Sequence, residues 1–182
     1  MNIKTKKIKG MGSMKKLFLL TLVLVMTLSF AGCGGDTTPT ISLVDVTTDQ
    51  GISMKLPSDM AVQEGGMYAN TETADVASFG VADIGGTPLS SWKEENVLAT
   101  YQSNYKNVVI KSFENGKQIN GKEALVSTFS LTTTKGNDVI GALIMITDGE
   151  KNYVVNLFYG SDNTDGSLAQ NQDACIESIN IK

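Results

Sequence analysis

The chain has 182 residues and contains no histidine and no arginine. Without imidazole it lacks the usual general base near neutral pH, the serine triad in its common form, and histidine metal ligands. Without guanidinium it lacks the planar fork that grips phosphate or carboxylate through two bonds. Cysteine occurs twice, as Cys33 and Cys175, which is too few for a disulfide framework. No G-x-S-x-G elbow, P-loop or dinucleotide-binding glycine pattern is present. Long apolar runs are missing too, with one exception near the N-terminus.

That exception is "LFLLTLVLVMTLSF", residues 17–30, which carries no charge. Before it stand Lys4, Lys6, Lys7, Lys9, Lys15 and Lys16, with no acid among them. A basic stretch, a short apolar stretch and small residues after it make a secretory leader. As a helix the fourteen apolar residues span about 21 Å, against roughly 30 Å of bilayer hydrocarbon. The run is short for a permanent span. Met14 opens "MKKLFLL", itself a compact signal, so the first thirteen residues are either an upstream start or an extended basic region.

The leader ends in "FAGC", and Phe30, Ala31, Gly32 and Cys33 resemble a bacterial lipobox, with phenylalanine where leucine is usual. The resemblance implies cleavage between Gly32 and Cys33 and a diacylglycerol thioether on Cys33. Two acyl chains anchor stably where one does so only marginally. The alternative is an ordinary secretory leader, or an uncleaved helix, with Cys33 incidental. The expected layout is a signal peptide over 1–32, a lipidated cysteine and polar tether over 33–40, and one globular domain over 41–182. "GGDTTPT" supplies the tether's glycines and proline.

Removing the leader leaves nine lysines against nineteen acids, a net charge of −10. That excess disfavours nucleic acid and anionic lipid surfaces as main partners. With Cys33 in the tether, Cys175 has no partner for an internal disulfide. It lies seven residues after Leu168 and four before Ile179, helical spacing onto one apolar face, so a buried structural thiol is expected.

The rest reads as short strands with two helical breaks. "GISMKLP" alternates Ile52, Met54 and Leu56 against polar neighbours. "MAVQEGG" and "MYANTE" read as two strands around a turn at Gly65-Gly66, and "DVASFGVADI" puts Ala77, Phe79 and Val81 on one face. "SSWKEENVLATYQSNY" is the first helix, with Ser91 and Glu94 spaced as a capping box. Asn115-Gly116 and Asn120-Gly121 both read as hairpin turns. Three meander strands follow, with turns at Lys135-Gly136 and Asp148-Gly149. "VIGALIMI" is apolar on both faces and reads as a central strand, with Ile140, Ala142, Ile144 and Ile146 toward one layer and Val139, Leu143 and Met145 toward the other. A helix from about Ser167 to Ser178 closes the chain.

"GISMKLPSDMAV", the strand-to-helix passage, "INGKEAL", the long meander and the closing "ESI" together resemble the PsbP-like fold. That superfamily includes the extrinsic photosystem II subunit, Ran-binding import factors and bacterial lipoproteins. The resemblance implies an α+β domain, an antiparallel sheet with helices on both faces in a three-layer sandwich. It also implies docking or assembly more often than catalysis.

Three chemical readings compete with plainer ones. "SDNTDGSLAQNQ" places Asn163, Asp165, Gly166 and Leu168 as in a calcium loop, but Ser161 and Gln172 replace its two outer carboxylates. The plainer reading is a loop whose Asp165 or Ser167 caps the last helix. Glu94-Glu95 and Asp148/Glu150 supply paired acids of the kind a glycosidase uses, yet adjacency alone does not face two carboxylates across a substrate. Tyr101, Tyr105, Tyr153 and Tyr159 either line a groove or pack in the core. No catalytic, cofactor-binding or metal residue is assigned. The expectation is a lipid-anchored, non-enzymatic extracytoplasmic domain that binds an envelope protein or a small ligand, without a cofactor. The rival is a carboxylate-dependent envelope hydrolase.

Overall fold

The computed structural model describes residues 41–83 and 88–182. The leader, the Gly32–Cys33 junction, Cys33 itself and the tether lie outside the described residues.

The apolar run at residues 139–146 organises the domain. It lies in β8 (Asp138–Thr147), an interior strand. Its neighbours are β7 (Lys122–Thr132) and β9 (Lys151–Gly160), both antiparallel to it. The seven-stranded sheet also holds β3 (Ala61–Val62), β4 (Tyr68–Asn70), β5 (Asp75–Asp83) and β6 (Lys106–Ile119), in the order β3-β4-β5-β9-β8-β7-β6. Both faces of β8 are packed. Ala142, Ile144 and Ile146 join one apolar cluster, while Val139, Leu143 and Met145 join another.

A second, three-stranded sheet has the order β1 (Leu43–Thr47), β2 (Ile52–Pro57), β10 (Asn180–Ile181). Ile52, Met54 and Leu56 point inward from β2, as their alternation predicts. They pack in the Ile144 cluster together with Leu168, Cys175 and Ile176 of α2 (Ser167–Glu177). Val97 and Tyr101 of α1 (Glu94–Gln102) are fully buried in the Leu143 cluster. No helix among the described residues is long and apolar enough to cross a membrane.

Two local expectations are corrected. Asn115-Gly116 is not a hairpin, because β6 runs straight through it. The β6–β7 register slips between Asn115 and Lys117, and Gly116 takes φ +87° to absorb the extra residue. Asn115 turns its amide away from the strand and donates to the carbonyls of Leu89 (3.1 Å) and Trp92 (2.9 Å). Asn120-Gly121 is the true turn, with φ of +48° and +76°. The second correction concerns the start of α1. Ser91 lies in a 3-10 turn, Leu89–Ser91, and its hydroxyl donates to the Pro88 carbonyl at 2.8 Å. Helix α1 begins three residues later, and Asn96 Oδ1 accepts the Lys93 N–H at 2.8 Å.

Candidate functional site

Among the described residues one carboxyl stands clearly above its usual range, that of Asp75, the first residue of β5. A tight turn delivers it, with Ala74 at φ +58°, a conformation that costs an L-residue roughly 1 kcal/mol. Asp75 is fully buried. One oxygen accepts the Asn163 amide at 3.2 Å and the other accepts the Leu168 N–H at 3.4 Å. Asp59, in the turn after β2, accepts the Ser167 hydroxyl at 2.8 and 2.9 Å and the Asn70 amide at 2.9 Å. Asn70 in turn accepts the N–H groups of Glu72 and Thr73. Two carboxylates therefore converge on the first two residues of α2.

The N-terminus of a helix presents unpaired N–H groups and the positive end of its dipole, which suits carboxylates. Burial nevertheless dominates at Asp75 and pushes its carboxyl up to about 6. The Leu168 N–H and the Asn163 amide pull the other way, and the charge of Asp59 adds to the rise. Asp75 has no access to solvent, and both of its oxygens are engaged. It clamps α2 to β5 and has no oxygen free for a substrate.

This clamp decides between the readings of residues 161–172. Asn163 donates its amide to Asp75 and to the Thr73 carbonyl, and Ser167 donates to Asp59, so both are committed to protein acceptors. Neither Asp165 nor Ser167 caps α2, since the N-cap is Gly166 and the acceptors come from β5 and the turn after β2. Among the described residues no three His, Cys, Asp or Glu side chains gather as a metal site. Sequence reasoning missed Asp75 and Asp59. One signal was available, because Asp75 is in phase with Ala77, Phe79 and Val81 and so must point inward.

The other acids do local work. Glu94 and Glu95 sit in the first turn of α1. Asp148 tightens the β8–β9 turn, accepting the N–H groups of Glu150 and Lys151 and the Tyr153 hydroxyl. The Lys151 and Glu150 N–H groups hold its carboxyl below the usual range.

The four tyrosines do not line one groove. Tyr101 is buried against Phe129, with ring centres 4.1 Å apart, and donates to Asn156 Oδ1 at 2.8 Å. Tyr105 packs beside it, while Tyr153 and Tyr159 belong to the Ile144 cluster. Cys175 is fully buried, and burial pushes its thiol up to about 12. Thiolate is the reactive form. Alkylation of the folded protein should therefore be slow and should accelerate sharply in denaturant; rapid labelling under native conditions would place Cys175 on the surface.

Large apolar side chains reach solvent singly. Val44, Val62 and Val109 are 40%, 65% and 49% exposed, on β1, β3 and β6. The last two strands are opposite edges of the large sheet, so these valines do not merge into one patch.

No family model matches the sequence, and no curated protein matches it. Solved structures do. The Ran-binding protein Mog1p of Saccharomyces cerevisiae superposes with a TM-score of 0.55 at 9% identity, over 78% of this chain and 96% of its own. Cyanobacterial PsbP (CyanoP) from Synechocystis sp. PCC 6803 does so with a TM-score of 0.55 at 13% identity, over 84% of this chain and 98% of its own. The domain has a PsbP-like fold.

Proposed function

We propose that the chain is a lipid-anchored extracytoplasmic lipoprotein whose domain docks an envelope protein or a small ligand without catalysis. The lipobox-like Phe30–Cys33 carries the anchor in this reading, and the Asp59–Asp75 pair argues against the hydrolase alternative. Two convergent carboxylates are what a hydrolase needs, and here they are consumed in holding α2. The fold adds support, since one neighbour is by name a Ran-binding protein. In this reading α1 and α2 cover opposite faces of the sheet in a three-layer sandwich. The anchor is the lipid on Cys33, after cleavage at Gly32–Cys33, and the tether holds the domain off the membrane.

Cys33→Ala is expected to leave the domain folded and release it from the membrane, because both apolar clusters described above are built from residues after the tether. Membrane fractionation with metabolic fatty-acid labelling measures this. A substituted protein that stays labelled and membrane-bound sinks the anchor. Capture of the anchored protein's neighbours from the native envelope tests docking.

A further inference from the structure

The large sheet ends on β6, fourteen residues long, with no strand on its outer side among the described residues. Charge is unevenly laid around it. From residue 41 onward nine lysines face eighteen acids. β6 itself carries Lys106, Lys111 and Lys117 with the single acid Glu114. The rest of the chain from residue 41 holds six lysines and seventeen acids. The long free edge is thus a basic strip on an acidic domain.

Its backbone is regular only in places. Pairing with β7 slips between Ile110 and Ser112 and again between Asn115 and Lys117. Between the slips, Ser112 to Asn115 keep unbroken register with Thr128 to Leu125. Lys111 lies at one end of this stretch and Lys117 at the other. Lys111, Ser112 and Glu114 are exposed.

We propose that β6 is a strand-addition site for an extended acidic segment of a protein partner, paired along residues 112–115 with its carboxylates on Lys111 and Lys117. The inference rests on the docking reading above. A sheet edge offers main-chain N–H and C=O groups that pair with another main chain, which phosphate or a lipid headgroup does not supply; the Ser112 carbonyl at the start of the stretch already accepts the Ser127 hydroxyl at 2.9 Å. The lysines then select for acid. A second copy is disfavoured, since antiparallel pairing centred on Glu114 sets Lys111 against Lys117 and Glu114 against itself. Lysines and bulges protect an edge from its own kind; the same charges attract an acidic strand. Glu114 holds Lys117 at 3.6 Å, with Glu114 exposed and Lys117 half-buried; a single ion pair this close to solvent is worth little, so an incoming carboxylate displaces it readily.

The test uses the full chain in non-ionic detergent and a short fluorescein-labelled peptide of alternating valine and threonine with glutamate at both ends. Controls are the same peptide with lysine for glutamate, and the acidic peptide N-methylated at alternate residues. The acidic peptide should bind, and the controls should not. K111E/K117E should weaken binding about tenfold or more, and K111Q/K117Q should weaken it less. Thermal melts matching the parent chain establish that both variants fold. Failure of the acidic peptide to bind, binding that survives K111E/K117E, or equal binding of the methylated peptide overturns the proposal. Envelope capture separates the two levels. A partner retained equally by the parent chain and K111E/K117E keeps the docking reading and removes β6 as its site; no partner at all removes the docking reading.

Discussion

Leu143→Asp and Ile144→Asp should each unfold the domain. The two residues are consecutive on β8 and point to opposite faces, and both are fully buried. Leu143 belongs to the cluster that holds Val97, Tyr101 and Phe129, and Ile144 to the one that holds Leu56, Val155 and Cys175. Neither cluster contains a cation to receive a carboxylate. A buried unpaired charge costs several kcal/mol, on top of the lost apolar contacts. Total stability of a domain this size is about 5–15 kcal/mol. Thermal melts and near-ultraviolet circular dichroism at neutral pH measure the outcome. If either variant melts near the parent temperature, that face is open to water and the reading of two covered faces fails.

The pair also marks what was legible in the sequence. β8 was readable because its two faces carry unbroken apolar sets, and period-two alternation needs no knowledge of neighbours. β2, the β7–β9 meander and α2 were readable for the same reason, each from its own apolar period. β1 was not, because only Val46 of its five residues is buried, so a half-solvated edge strand leaves almost no pattern. The closing "NI" became β10 only by pairing Ile181 with Ile52, far away in sequence. Asn115-Gly116 misled because the dipeptide reports a left-handed glycine, and a bulge needs one as much as a turn does. What separates them is the Asn115 amide on the Leu89 and Trp92 carbonyls, a contact no local rule contains.

The α2 clamp was hidden for a related reason. Asp59, Asp75 and Ser167 come from three separate stretches, and only the fold brings them together. Local capping rules look for the acceptor beside the helix. Here Gly166 occupies that position and offers no side chain, so the acceptors arrive from other elements. The inward phase of Asp75 was visible; its partners were not.

Asp75 should make the domain's stability depend on pH between about 4 and 6. Its carboxyl is raised from 3.8 to about 6 in the folded protein, so across that window the folded state holds a proton that the unfolded chain has released. Stability from this group is complete below the unfolded value and declines as pH rises through the folded one. A tenfold change in proton affinity corresponds to about 1.4 kcal/mol, so the whole decline is at most about 3 kcal/mol. Asp148 works in the opposite sense, because its carboxyl is lowered and its contribution disappears only as pH falls below the ordinary carboxylate range. The window above pH 4 therefore reports Asp75. In Asp75→Asn that decline should vanish, since the amide does not titrate. The variant also loses an acceptor, because its NH2 must face either the Leu168 N–H or the Asn163 amide, and an unpaired buried donor costs about 1–3 kcal/mol. Urea unfolding at closely spaced pH values gives both quantities. A parent profile that is flat from pH 4 to 6, or a decline that persists unchanged in Asp75→Asn, would mean that the buried carboxylate at the head of α2 is not the group that titrates.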